Sequence, residues 1–314
     1  MRPFEQSLAE LEARLASQGG RGRVLAPRTR SAYLKDARLV ATWLEAQGVE
    51  GPEAVTPSAL EAALRALGWS RSTRARALTA LREWLRPYHP PNRSPADLVE
   101  APRPVPPPVP RLSQADAADL MDRAGRRPAA AAEDAPARAL AQRDQALLEV
   151  LYGSGLRRQE ACDLTLAGLD FEHETLRVVG KGGHARTVPL TEPAVAALRE
   201  WLAEGRPRLL AGRPAGARAE AAVFLSRSGR PLDGSTVYRV VARALRASGR
   251  GGGPHLLRHA AGTHLLEGPG GSGGAHLRVV QEVLGHRSLA TTQRYTGVTT
   301  KAMQAALRQG HPRG

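Results

Sequence analysis

A proline-rich stretch, "APRPVPPPVPR" at residues 101–111, divides the chain of 314 residues. Proline lacks a backbone N–H and has a fixed φ, so this density of prolines prevents helix and sheet hydrogen bonding and favours an extended polyproline II spacer. Such a spacer reaches roughly 30 Å at about 3.1 Å per residue. The sequence therefore predicts an N-terminal domain over residues 1–101, a linker over 102–110 and a second domain over 111–314.

The first domain is predicted to be a small bundle of helices. Apolar residues recur at helical spacing in four segments, residues 4–17, 29–48, 56–68 and 70–88. Thr56 precedes a proline and is expected to cap the third segment, and Ser70 or Ser72 is expected to cap the fourth. The core of the bundle is expected to contain three tryptophans, Trp43, Trp69 and Trp84.

The second domain mixes helices with a hairpin. Residues 174–180 and 185–190 alternate as two strands around the turn "KGGH". A further short strand is expected at 222–226, and Tyr152 and Tyr238 are expected in the core. Two glycine-rich stretches, "GRGGGP" and "GPGGSGG", are interpreted as flexible loops. Helices are predicted at 113–124, 138–152, 156–166, 191–204 and 234–247, followed by three short ones from residue 255 onward. The predicted fold class is mainly α, with a helical bundle followed by a mixed but mostly helical domain.

The charge balance indicates a polyanionic partner, and nucleic acid is the commonest one. Lysines and arginines number 45 against 30 acids, a formal net charge of +15. A GC-rich genome, whose codons favour arginine, is the alternative explanation. Two basic clusters in the first domain are candidates for contacts with DNA phosphates, although a solvated surface is the ordinary interpretation of such clusters. They are Arg28, Arg30 and Lys35 in one, and Arg71, Arg74 and Arg76 in the other.

Several classes of protein are disfavoured. No apolar run approaches the roughly 18 residues that a membrane-spanning helix needs, and the first residues are too acidic for a signal peptide. The single cysteine, Cys162, is consistent with a reducing cytoplasm. The chain has no zinc-type Cys/His spacing, no HExxH and no GxxxxGK[ST]. We therefore expect a cytoplasmic protein with no membrane association, no metal site and no cofactor.

Four stretches of the second domain contain side chains suited to phosphodiester chemistry: "GSGLRRQEACDL", "GKGG", "PHLLRHAAGTHLL" and "LGHRSLATTQRY". They contribute the candidate residues Arg157, Glu160, Lys181, His255, Arg258, His286 and Tyr295. Two guanidinium forks can hold the non-bridging oxygens of a phosphate and stabilise the charge that develops there. Alone, each of these residues would be an ordinary packing or surface side chain. Their occurrence together, in this order, favours a joint function.

The remaining members of the set fit the same reaction. A tyrosine is nucleophilic as it loses its proton, and a neutral imidazole can help to remove that proton. A lysine at a hairpin tip can deliver a proton to the leaving sugar oxygen. Because tyrosine replaces water, the energy of the broken bond is kept in a phosphotyrosine ester, and the strand can be rejoined.

The motifs "GSGLRRQE", "GKGGHARTVPL", "HLLRHAAGTHLLE" and "LRVVQEVLGHRSLATTQRYTGV" resemble the tyrosine recombinase (phage integrase) family, and most closely its Xer-like site-specific recombinases. The resemblance covers most of residues 111–300. It implies that Arg157 and Arg258 clamp the scissile phosphate, Lys181 assists the leaving 5′ oxygen and Tyr295 forms a 3′-phosphotyrosyl bond. His255 would handle the proton of the nucleophile and His286 would bind the phosphate. Glu160 would orient the site from behind, and the first domain would be a SAM-like core-binding domain.

The resemblance also implies partners. The expected partner is double-stranded DNA with an inverted-repeat recombination site, bound by a homo-tetramer on two sites or by a hetero-tetramer with a second recombinase. The residues after Tyr295 are expected to dock on a neighbouring protomer. Resolution of chromosome or plasmid dimers is the leading role. The alternatives are the integrase of a mobile element, a type IB topoisomerase-like enzyme that nicks and reseals one duplex, and a non-catalytic DNA-binding protein with the same fold.

Overall fold

The computed structural model describes residues 3–17, 25–101, 111–125, 134–180, 183, 185–211, 216–271, 273–285 and 300–313. Contacts divide the chain into two compact units, residues 1–107 and 108–314. Within the described ranges, no helix has the length and apolar character needed to cross a membrane. The predicted linker 102–110 lies outside the described residues.

Within its described residues, the first unit contains helices and connecting turns and no strand. Its helices are α1 (Pro3–Ser17), α2 (Pro27–Ala46), α3 (Pro57–Ala66), α4 (Arg71–Leu85) and the short α5 (Pro95–Leu98). Thr56 and Ser70 cap α3 and α4, because their hydroxyl oxygens accept hydrogen bonds from the amides of Ala59 and Thr73, each at 3.2 Å. The capping predicted for Thr56 is therefore confirmed, and of the two serines Ser70 is the cap.

The core of the first unit is built around Trp84. This side chain is fully buried, and its indole N–H donates to the hydroxyl of Ser7 at 3.0 Å. Trp43 and Trp69 are half-buried and pack against the edge of the same core. The prediction for Trp84 is thus confirmed, whereas the other two tryptophans border the core.

One residue predicted to contact DNA also pairs with an acid of the first unit. Arg76 on α4 donates two hydrogen bonds to the carboxylate of Asp36 on α2, at 2.9 and 3.1 Å, and Asp36 is buried. A buried carboxylate that loses its partner is strongly destabilising. Arg76 therefore joins α2 to α4 while its side chain remains 48% exposed, and its contact with a DNA phosphate stays a prediction.

The second unit surrounds the long buried helix α7 (Ala135–Gly153) with shorter elements. Strands β1 (Leu169–Asp170), β2 (Thr175–Val179) and β3 (Ala185–Pro189) form an antiparallel sheet in the order β1-β2-β3. The remaining helices are α6 (Gln114–Gly125), α8 (Arg158–Cys162), α9 (Glu192–Glu200), α10 (Arg206–Leu210), α11 (Ala217–Ala221), α12 (Gly234–Ala247), α13 (Pro254–Glu267), α14 (Leu277–Leu284) and α15 (Thr300–Gly310). The fold is mainly α with a small sheet, as predicted.

Two local predictions for this unit are wrong. The expected strand at 222–226 is reduced to isolated bridges, Thr165 with Ala222 and Leu225 with Pro231. Tyr238 is 48% exposed rather than buried, because α12 turns Val237, Val240 and Val241 toward the core instead. Its ring lies against the backbone of Gly253.

Tyr152, in contrast, is fully buried as predicted. Its hydroxyl is 2.8 Å from Nδ1 of His264, and Nε2 of the same imidazole is 2.8 Å from the carbonyl oxygen of Leu112. His264 is itself buried, and burial lowers the pKa of this imidazole. It therefore serves a structural role, tying α13 to α7 and to the start of the unit.

The glycine-rich loop after α13 is tied to that helix. The amides of Gly273 and Ala275 donate to the carbonyls of Glu267 and Leu265, and the side chain of Gln114 donates to the carbonyl of Gly268 at 2.7 Å. A Cβ atom on Gly274 would lie only 2.1 Å from the Leu265 carbonyl oxygen. The close approach explains the need for glycine there, whereas the composition alone predicted only a flexible loop.

The C-terminal helix packs on its own chain. Helix α15 contacts β3, α13 and α14, and it buries Met303 and Leu307. Beyond it, His311 is buried with its ring centroid 4.7 Å from that of Tyr152. Burial lowers the pKa of His311 to about 3, so this imidazole is neutral at physiological pH. In the single chain this segment packs on its own unit, and its docking on a neighbouring protomer stays a prediction.

Arg313 fastens the end of this segment to α7. Its guanidinium donates to the carboxylate of Asp122 at 2.8 Å and to that of Glu149, whose side chain is only 1% exposed. Burial raises the pKa of Glu149, while Arg313 opposes that rise. The buried carboxylate thus depends on one cation from the C-terminal segment.

Arg313→Ala is expected to destabilise the protein by about 3 kcal/mol, since it leaves a buried carboxylate unpaired. In thermal unfolding this corresponds to a fall in Tm of roughly 6–12 °C. A raised pKa in the folded state means that Glu149 takes up its proton more readily when folded, so the deficit should shrink as the pH falls from 7.5 toward 5. Arg308→Ala is the control, because Arg308 is 65% exposed and lies 3.8 Å from Glu174. Equal Tm values for the two variants would contradict the assignment.

Candidate active site

Arg157 and Glu160 meet at the start of α8. Arg157 occupies the N-cap position, and its backbone amide donates to Glu160 Oε2 at 2.8 Å. Its guanidinium donates to Glu160 Oε1 at 2.8 Å and to the carbonyl oxygen of Gly285 at 2.9 Å. The side chain of Arg157 remains 40% exposed, whereas that of Glu160 is 3% exposed. The carboxylate therefore holds the guanidinium from behind and leaves one side open to solvent.

Arg258 approaches the same carboxylate from α13. It is buried, and its guanidinium donates to the carbonyl of Gly155 at 2.5 Å and to that of Leu284. Its Nη1 lies 4.0 Å from Glu160 Oε2. Arg157 and Arg258, which are far apart in the sequence, thus lie close together around the carboxylate of Glu160.

The electrostatics of this cluster favour positive charge. Burial, and after it the neighbouring Arg157, lowers the pKa of Arg258 to about 10, so the guanidinium stays charged at neutral pH. Burial acts to raise the pKa of Glu160, but hydrogen bonds from Arg186 and from the amide of Arg157 outweigh it and leave that pKa below its usual value. Glu160 is therefore ionised and compensates only part of the charge around it.

Arg186 is the member of the cluster that sequence reasoning missed. It lies on β3 and donates to both oxygens of Glu160, at 2.7 and 3.0 Å. Its side chain is 19% exposed. The signal was present in the sequence, because Arg186 shares a strand face with the buried Val188, and a charged residue is rarely turned inward without a partner.

The other candidate residues are placed to different extents. His255 is exposed on the first turn of α13, one turn before Arg258. Lys181, His286 and Tyr295 lie outside the described residues. The segments that flank them are described: β2 and β3 on either side of the hairpin tip, Gly285 before His286, and α15 after Tyr295.

The basic clusters of the first unit lie on α2 and α4. Arg28, Lys35 and Arg71 are exposed, and Arg30 and Arg74 are half-buried. Among the described residues, no ion pair joins any of these five to an acid. Arg30 and Lys35 also line a shallow depression together with Arg38 and a single acid, Glu12. Of the six predicted cations, Arg76 is the one that pairs with an acid, Asp36, among the described residues.

Comparisons with known proteins identify the family of the chain. The Phage integrase family model matches residues 111–302. The chain is 38% identical to "Tyrosine recombinase XerC" of Mycobacterium leprae (strain TN), over 98% of this chain and 99% of that protein. It is 39% identical to "Tyrosine recombinase XerC" of Mycobacterium bovis (strain BCG / Pasteur 1173P2), over 98% of each.

Solved structures show the same fold. A XerH site-specific recombinase bound to palindromic difH substrate, in a post-cleavage complex, matches with a TM-score of 0.67 at 19% identity, over 97% of this chain and 96% of that one. A lambda integrase (75–356) dimer bound to a COC′ core site matches with a TM-score of 0.63 at 20% identity, over 94% and 99%. Together, the family match along the second unit and the full-length relatives establish that the chain belongs to the phage integrase family of tyrosine recombinases.

Proposed function

We propose that this enzyme cleaves and rejoins double-stranded DNA at an inverted-repeat site through a 3′-phosphotyrosyl intermediate on Tyr295. The observation that carries the proposal is the convergence of Arg157 and Arg258 on the buried Glu160. Arg157 keeps an exposed flank, so a phosphate can reach its fork. The cluster therefore supplies fixed positive charge where the phosphate charge grows during attack.

The remaining chemical groups are assigned by the motifs. Tyr295 attacks the phosphorus, and its oxygen forms a new bond as the bond to the sugar 5′ oxygen breaks. His255, exposed on the first turn of α13, takes the phenolic proton. Lys181 at the hairpin tip protonates the leaving 5′ oxygen, and His286 binds a non-bridging oxygen. In rejoining, a 5′ hydroxyl attacks the phosphotyrosine and the same groups exchange roles.

The test is covalent capture on a nicked suicide substrate that allows a short 5′ fragment to diffuse away. Because religation then lacks its nucleophile, the protein is expected to accumulate as a denaturation-resistant DNA adduct. The adduct should form equally in excess EDTA, because arginine and lysine side chains supply the positive charge. A protein that binds the site and gives no adduct would favour the non-catalytic alternative.

We further propose that the enzyme works in the cytoplasm as a tetramer on two sites, formed by one protein or shared with a second recombinase. The resolution of chromosome or plasmid dimers is favoured by the names of two full-length relatives, both "Tyrosine recombinase XerC". A type IB topoisomerase-like enzyme would relax one supercoiled duplex without pairing two sites. Recombination between two sites on one plasmid, read as two product circles, separates these functions.

DNA binding is expected to depend on the cations of α2 and α4. The double variant Arg71→Gln and Arg74→Gln should weaken binding and reduce the slope of log K against log salt by about 0.9 for each phosphate that the protein no longer neutralises. Arg76 is left unchanged because its removal would leave the buried Asp36 unpaired. Arg65→Gln is the control, since Arg65 is 65% exposed on α3 and pairs with Glu61. A slope equal to that of the wild type would show that the α4 cluster faces solvent.

A further inference from the structure

Arg186 completes a closed ring of contacts behind the candidate site. Its guanidinium binds both oxygens of Glu160, Glu160 binds Arg157, and Arg157 donates to the carbonyl of Gly285. Gly285 in turn lies against Arg186, because a Cβ atom at that glycine would be 2.8 Å from Nε and 2.9 Å from Cζ. The ring therefore joins β3, α8 and the end of α14.

The contact with Gly285 fixes a turn as well as a side chain. Gly285 ends α14 in the left-handed conformation with φ of +64°, and its amide donates to the carbonyl of Glu282. It directly precedes His286 in the sequence. The Nε atom of Arg186 is buried against this turn and has no hydrogen-bond partner among the described atoms. No residue larger than glycine fits here while Arg186 keeps its position.

The two hydrogen bonds from the guanidinium of Arg186 also restrict the orientation in which the carboxylate of Glu160 binds Arg157. A carboxylate that receives two hydrogen bonds from Arg186 cannot rotate, so its remaining contacts with Arg157 keep a fixed direction. The same fork supplies charge. Arg157, Arg186, Arg258 and Glu160 carry a net +2 together, and the group would carry +1 without Arg186. Both effects act on Arg157 and Arg258, the two arginines proposed to bind the phosphate.

We propose that Arg186 is a positioning residue of the reaction: it fixes Glu160 and the Gly285 turn, so that Arg157, which binds both of them, is aimed at the scissile phosphate. It also connects the hairpin strand that follows Lys181 to the arginine cluster. The proposal rests on the proposed function, since it concerns the geometry of the same cleavage step.

The test compares adduct formation by Arg186→Gln and by the wild type at saturating protein. The rate constant should fall by between about 10-fold and 100-fold, as for a reacting group displaced by a fraction of an ångström to 1 Å. Binding to the site should change by less than about 2-fold, because Arg186 is 19% exposed and is engaged with Glu160. Arg177→Gln, an exposed arginine on the neighbouring strand β2, is the matched control and should retain the wild-type rate.

Two further readouts separate positioning from a general loss of structure. First, a methylphosphonate at the scissile position removes one phosphate charge, so a defect that acts through the cationic clamp should shrink to below about 3-fold on this substrate. Second, Arg186→Gln should add little to the defect of Glu160→Gln, because both changes break the same link. Equal defects on the two substrates, or additive effects of the two substitutions, would overturn the proposal.

Arg186→Lys keeps the charge but loses the fork, and it is the variant to use should Arg186→Gln fail to fold. Its defect is expected to be smaller, and likewise non-additive with Glu160→Gln. Wild-type protein on the same suicide substrate distinguishes a failure of the proposed function from a failure of the role proposed for Arg186. If the wild type forms no adduct, the proposed function itself fails. If the wild type and both Arg186 variants form the adduct at the same rate, only the role of Arg186 is rejected.

Discussion

Replacing Tyr295 with phenylalanine is expected to abolish the covalent protein–DNA adduct while leaving site binding within about 2-fold of the wild type. The substitution deletes one oxygen and keeps the aromatic ring, so packing and phosphate contacts survive. No other group in the arginine cluster can replace the nucleophile, because guanidinium groups stabilise charge and do not attack phosphorus. The measurement is denaturing electrophoresis of the suicide reaction, followed by peptide mapping of the adduct.

The mapping makes the result specific to one side chain. Tyr152 is fully buried with its hydroxyl on His264, and Tyr238 is 48% exposed on α12. Tyr238→Phe is therefore the matched control, since it removes the hydroxyl of an accessible tyrosine in the same unit and should leave adduct formation unchanged. An adduct that persists in Tyr295→Phe, or that maps to Tyr238, would assign the nucleophile elsewhere.

Arg258→Ala is expected to reduce the rate of adduct formation by at least about 100-fold, the usual cost of losing one preorganised charge donor. The structure adds a second reason for a large effect. The guanidinium also holds the carbonyls of Gly155 and Leu284, and these turns precede Arg157 and Gly285 by two residues and one residue. Its loss should therefore disturb the aim of Arg157 as well. Single-turnover cleavage at saturating protein isolates this step from binding.

Arg258→Lys tests which property of the residue matters. Lysine preserves the charge but cannot donate to two carbonyls from a rigid fork, so only part of the lost rate should return. Thermal unfolding of both variants reports the structural component, because Arg258 is buried. If DNA binding and cleavage fell by the same factor in Arg258→Ala, the residue would be a docking contact and not part of the chemistry.

Helix α12 and the hairpin of β2 and β3 were predictable from the sequence, because each depends on neighbouring residues. Helix α12 begins at Gly234 and ends at Ala247, as its apolar spacing indicates, and Asp233 caps it through the amides of Ser235 and Thr236. The hairpin, too, was evident from alternation around a glycine turn. These features depend on residues close together in sequence, which is why periodicity and turn residues were sufficient to find them.

What the sequence did not predict depends on tertiary contacts. The helix expected to end at residue 204 continues as a π-helical segment over Trp201–Gly205 into α10, where Gly205 packs against the ring of Trp201. Arg76 carries the same charge as Arg71 in the sequence, and only the fold shows that Asp36 faces it. Two of the three arginines around Glu160 were predicted, and Arg186 was missed because the strand pattern of β3 describes a face and not the carboxylate opposite it.

The anchoring of Arg313 has a practical consequence for anyone who labels this protein. A purification tag or fluorophore fused directly after residue 314 would begin two positions beyond Arg313, whose guanidinium binds Glu149, and close to the buried ring of His311. Such a fusion could displace Arg313 from Glu149 and so disturb the packing of the C-terminal segment on α7. A spacer of flexible residues, or a label on an exposed site such as Glu61 of α3, leaves that interior contact undisturbed.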